Sequence, residues 1–89
     1  MKTSRVVLRN KLGLHARAAS KLVNTAAGFD SEVGLVRDER RVNAKSIMGV
    51  LMLAAPVGTE LVIECEGSDE NEALAALVAL VDNRFGEEE

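Results

Sequence analysis

The apolar positions of this chain change period along its length, and the changes predict its elements. Arg5-Val6-Val7-Leu8-Arg9 is a β-branched run bounded by cations, which reads as a strand. Asn10 and Gly13 then mark a loop. From Ala16 the period becomes helical, with Ala16, Ala19, Leu22, Val23 and Ala26 on one face and Arg17, Lys21 and Asn24 off it. Gly28 stands where a left-handed cap would close that helix. Glu32-Val33-Gly34-Leu35-Val36-Arg37 and Arg40-Arg41-Val42 read as two strands around a tight turn at Asp38-Glu39. Ser46 is a good N-cap for a short helix over Ile47-Met48-Gly49-Val50-Leu51-Met52-Leu53. Leu61, Ile63 and Cys65 alternate with Val62, Glu64 and Glu66, the pattern of a half-buried strand. Asp69 followed by Glu72 fits a capping box at the start of a last helix. Its apolar stripe is Leu74, Leu77, Val78, Val81 and Phe85, and Gly86 stops it. Glu87-Glu88-Glu89 is expected to be a frayed, solvated tail.

The resulting order is βαββαβα. In so short a chain it predicts an α+β domain of two layers, an open-faced sandwich with a sheet bare on one side and helices on the other. Ferredoxin-like domains, small acyl-phosphate hydrolases and phosphocarriers share most of this order, so topology alone leaves all three open. The 89 residues make one domain, 1–89. Its core is aliphatic, since Phe29 and Phe85 are the only aromatic side chains. Cys65, the single cysteine, excludes an internal disulfide or a multi-cysteine metal site, and no metal or other cofactor is expected. It sits in phase with Leu61 and Ile63 and reads as a buried, inert thiol. No apolar run reaches the roughly 20 residues of a membrane helix, and no secretory signal opens the chain. The expected place is the cytoplasm.

Charge adds a direction. Residues 1–45 hold ten Lys/Arg against four Asp/Glu, whereas residues 46–89 hold one against ten. A basic face that meets something anionic is one consequence; charge scattered over solvated surface is the plain alternative. Nucleic acid is a poor fit, because the second half is acidic and no stacking aromatics accompany the cations.

The lone histidine, His15, stands where a loop enters a helix, in Gly13-Leu14-His15-Ala16-Arg17. The first helix amides, those of Ala16, Arg17 and Ala18, have no intrahelical acceptor and favour an anion beside the ring. Arg17 can fork onto phosphate oxygens, and Gly13 lets the loop approach closely. An imidazole beside an anion site is suited to carry a phosphoryl group. An acyl-phosphate hydrolase, with Asn43 as its asparagine, is the enzyme alternative, but it leaves a helix-entry histidine unused. A ligand-sensing ferredoxin-like module is the binding alternative, and it would normally dimerise.

Gly13-Leu14-His15-Ala16-Arg17, with Leu22-Val23 in the same helix, resembles the active-site signature of the histidine-containing phosphocarrier (HPr) family of the bacterial phosphotransferase system. Val42-Asn43-Ala44-Lys45-Ser46-Ile47-Met48-Gly49-Val50 resembles that family's second signature, around a regulatory serine. The run from Asn10 to His15 and the acidic end are similar to nitrogen-branch members. The resemblance implies a four-stranded antiparallel sheet with three helices on one face. It implies a carrier rather than an enzyme: Nδ1 of His15 accepts a phosphoryl group from Enzyme I and passes it to an enzyme IIA domain, while Arg17 and the amides of residues 16–18 steady it. It further implies modification of Ser46 by an HPr kinase/phosphorylase, and docking through Ile47, Met48 and Leu51 with Ser20, Lys21 and Lys45 around them. A monomer is expected. One departure stands out: the family usually has proline after the arginine, where this chain has Ala18.

Overall fold

The computed structural model describes residues 1–88. Along them run β1 (Lys2–Val7), α1 (Ala16–Ala27), β2 (Glu32–Arg37), β3 (Arg40–Asn43), α2 (Ile47–Met52), β4 (Glu60–Glu66) and α3 (Glu70–Asp82), closed by a 3-10 turn, Arg84–Gly86. The strands form one antiparallel sheet in the order β1-β4-β2-β3. Its register puts Ser4, Ile63, Leu35 and Val42 in one row across the four strands. The period-2 pattern of β4 is realised in full: Leu61, Ile63 and Cys65 are buried under the helices, while Glu66 is exposed. Ala18, Ala19, Leu22 and Ala26 of α1 and Ala73, Leu77 and Val81 of α3 complete that core. Alanines at three of the four buried α1 positions let the helix lie close to its neighbours without leaving voids. The α+β open-faced sandwich, with three helices on one side, is the architecture expected. Cys65 is a buried free thiol, and burial foremost pushes its pKa up.

Several local readings need correction. β1 begins and ends earlier than the run at residues 5–9, because its pairing to β4 stops at Val7↔Glu60. Gly28 caps α1 with ordinary right-handed geometry, at φ −74°. The Asp38 turn manages without glycine by placing Asp38 itself at φ 55°, a conformation a short polar side chain tolerates. Asp69 and Glu72 make no capping box. Asp69 instead spans back to the start of β2, accepting hydrogen bonds from the amides of Asp30 and Ser31 and from the Ser31 hydroxyl. The reciprocal bonds belong two residues earlier, where the Gly67 amide donates to Glu70 Oε1 and the Glu70 amide donates to the Gly67 carbonyl. Phe85 is buried as its phase suggested, but from the 3-10 turn rather than from α3.

Three arginines of the basic half have structural partners. Arg37 donates to the carbonyls of Leu53 and Ala54, and Arg40 to that of Met52, so two cations hold the exit of α2. Arg41 pairs with Glu64 at 2.8 Å, its guanidinium lying where a Cβ on Gly34 would stand.

Candidate functional site

His15 is itself the N-cap of α1. Its backbone is extended, at φ −77° and ψ 178°, and its carbonyl accepts the Ala19 amide. The ring takes the place usually filled by a serine or aspartate oxygen: Nδ1 accepts the Arg17 amide at 3.3 Å. Because that partner can only donate, Nδ1 carries a lone pair, and the proton of the neutral ring sits on Nε2. The amides of Ala16 and Ala18 point from the same helix end and meet no acceptor among the described residues. Ala18 is fully buried against the core, which fixes this first turn despite the absent proline ring. Arg17 is exposed, and its guanidinium meets no partner among the described residues.

The loop before His15 is locked from two sides. Leu14 donates its amide to the Ala55 carbonyl at 2.9 Å, which ties the loop to the segment leaving α2. Gly13, at φ +65°, packs so close to that segment that a Cβ would fall 2.5 Å from the Ala55 carbonyl oxygen. The glycine therefore serves a contact within the protein, where the sequence suggested an approach to a ligand. Asn10, read as a loop marker, is fully buried and donates through Nδ2 to the Gly13 carbonyl at 2.7 Å.

The largest correction lies in the acidic tail, of which Glu88 is exposed as expected and Glu89 lies outside the described residues. Glu87 is not a frayed solvent residue. Its Oε2 lies 2.6 Å from His15 Nε2, and its Oε1 accepts Asn10 Nδ2 at 3.0 Å. Burial works to raise the Glu87 carboxyl, but hydrogen bonds from Asn10 and His15, with Lys21 nearby, outweigh it and hold the group below the usual carboxylate range. No period-based signal could have found this contact, since residues 15 and 87 meet only through the turn that ends α3.

The remaining candidates lie along α1 and at or just before α2. Lys21 donates to the Phe85 carbonyl at 2.6 Å and Lys45 to the Phe29 carbonyl at 2.8 Å, so both cations are anchored. Ser20 is exposed on α1. Ser46 caps α2, its Oγ accepting the Gly49 amide at 3.1 Å. Ile47, Met48 and Leu51 are exposed, joined by Met52 and by Leu12 of the His15 loop, neither of which the sequence singled out. Asn43 is occupied with the Lys45 amide and has no part in the His15 centre. Among the described residues no cluster of side chains could hold a metal ion, and no helix is long and apolar enough to cross a membrane.

The family described as the phosphorylation site of the PTS HPr component matches residues 2–83. The phosphocarrier protein HPr of Cupriavidus necator is 58% identical over 80 residues, 90% of either chain. HPr of Thermoanaerobacter tengcongensis superposes over 100% of both chains at 45% identity with a TM-score of 0.97. An HPr dimer from the same organism, also 45% identical, aligns over 98% of this chain and 100% of that one with a TM-score of 0.79.

Proposed function

The chain belongs to the HPr family of phosphocarriers of the phosphotransferase system, and from that premise we propose that Nδ1 of His15 accepts a phosphoryl group from Enzyme I and hands it to an enzyme IIA domain. The observation that carries the reading is the bond from the Arg17 amide to Nδ1. It keeps a lone pair on the nitrogen that faces the helix end. When phosphorus bonds to Nδ1, that amide loses its acceptor and turns to a phosphoryl oxygen, joined by the amides of Ala16 and Ala18. The Arg17 guanidinium closes over the remaining charge. Carriers need little more than this, since phosphoryl transfer is chiefly positioning and charge stabilisation. The Ala18 amide, which proline would lack, adds one donor.

Ile47, Met48 and Leu51 form the apolar part of the docking face, and Ser20, Lys21 and Lys45 its polar rim. The bond from Leu14 to Ala55 keeps this face and His15 in fixed relation. A flexible Met48 suits a surface that must fit both a donor and an acceptor. Ser46 stands at the edge of the same face. Its phosphorylation by an HPr kinase/phosphorylase would set about two negative charges there and weaken docking of acidic partners. One copy suffices for the chemistry, because the histidine, the amides and the guanidinium come from one chain. We take the working form as a cytoplasmic monomer, to be checked by light scattering against the dimer solved for the relative.

Incubation with phosphoenolpyruvate and Enzyme I, followed by mass spectrometry, tests the central claim. An acid-labile phosphoryl adduct is expected on the wild-type protein and none on His15→Ala. Labelling of His15→Ala at another position would overturn the assignment. Met48→Asp is expected to weaken transfer from Enzyme I without unfolding the protein, and an unchanged rate would remove Met48 from the docking face.

A further inference from the structure

We propose that Glu87 is a positioning residue for phosphoryl transfer: its carboxylate, braced by Asn10, holds the Nε2 proton of His15 and so keeps Nδ1 open to phosphorus. The inference rests on His15 being the acceptor.

Three observations carry it. The contact is doubly defined, with one carboxylate oxygen 2.6 Å from Nε2 and the other 3.0 Å from Asn10 Nδ2. Asn10 is fully buried and its second Nδ2 hydrogen bond, to the Gly13 carbonyl, ties the brace to the His15 loop. The backbone that delivers Glu87 is built at a cost. Arg84, Phe85 and Gly86 are three successive left-handed residues, at φ 56°, 55° and 76°. Two of them carry side chains that disfavour this region. The turn persists because Phe85 is 1% exposed in the core and its carbonyl accepts Lys21 Nζ at 2.6 Å. A solvated tail needs no such turn; a carboxylate aimed at one ring nitrogen does.

The chemistry follows from where the proton stays. The Nδ1 lone pair forms the new bond to phosphorus, and the donor's bond to phosphorus breaks with its electron pair leaving on the donor. No proton moves. The ring, still protonated at Nε2, becomes cationic, and Glu87 already faces that charge. A neighbouring carboxylate of this kind sets both tautomer and orientation.

Glu87→Gln is the decisive variant. Two donors, His15 Nε2 and Asn10 Nδ2, meet the two carboxylate oxygens, whereas an amide offers one oxygen. One donor is then opposed, and the ring is expected to shift toward the Nδ1-protonated tautomer. Nitrogen NMR of the imidazole in the full-length protein should show this shift. The maximal rate of transfer from Enzyme I should fall about tenfold or more, with the half-saturating carrier concentration little changed. Glu87→Asp, which keeps both oxygens, should recover part of the rate. A Glu87→Gln protein with unaltered tautomer or unaltered rate would overturn the inference while wild-type transfer left the His15 reading intact. If the wild-type protein itself took no phosphoryl group, the His15 reading would fall, and this inference with it.

Discussion

At single residues, the site depends on two loop positions whose value lies in tertiary contacts. Gly13 combines a left-handed φ of +65° with a would-be Cβ 2.5 Å from the Ala55 carbonyl oxygen and 2.8 Å from Pro56. Both the conformation and the approach exclude a side chain. Gly13→Ala is therefore expected to cost about 2–4 kcal/mol, from left-handed strain plus the displacement of backbone that cannot yield. Urea unfolding would show it, and a midpoint equal to wild type would refute the close packing. The sequence pointed to Gly13, because glycine before a helix-entry histidine is a recognisable signal. What it served was illegible, since Ala55 and Pro56 lie some forty residues away in the chain. Asn10 was illegible for the same reason: an asparagine in a loop is common, and only Glu87 and Gly13 arriving together make it a buried brace.

Among the elements, α2 shows what a short helix requires. Its six residues are too few to stand by propensity, so the ends decide. Ser46 closes the start through the Gly49 amide, and Arg37 and Arg40 hold carbonyls at the exit. Ser46→Ala should cost about 1 kcal/mol, while Ser46→Asp, which can cap in the same way, should cost less; thermal unfolding of the pair measures both. Equal stability of Ser46→Ala and wild type would leave Ser46 without a structural role. The start of this helix was legible because capping is local chemistry. The clamps at its exit were not, since they come from the facing ends of β2 and β3. The same contrast explains α3. Its apolar phase through Leu77 and Val81 was readable, and that phase carried on to Phe85 although the helix ends at Asp82. Periodicity reports which side chains face inward. It does not report a left-handed turn that buries Phe85 by another route and sends Glu87 back to His15.

Across the whole molecule, the fold is closed by bonds that join distant segments through side chains, and one of them makes stability respond to acid. Asp69 links the entry of α3 to the start of β2, accepting from the Ser31 hydroxyl and from the Asp30 and Ser31 amides. The Ser31 hydroxyl leads, followed by the Asp30 amide, in holding the Asp69 carboxyl below its ordinary value, and these bonds prevail over the opposing effect of burial. A carboxyl depressed in the folded state binds fewer protons there than in the unfolded chain, so folding is favoured wherever the unfolded group is ionised. The contribution is complete above the unfolded value of about 4 and drains away as pH falls below it toward the folded value. Glu87 is depressed in the same sense and adds to the loss over the same acid range. Between neutral pH and about 5, both carboxylates are ionised in either state, and neither makes stability depend on pH there. Asp69→Asn should therefore lower stability at neutral pH and flatten its decline below pH of about 4. Urea midpoints across that range compare the variant with wild type. Parallel curves, with the same loss of stability on acidification, would show that the bridge from α3 to β2 is not what acid breaks.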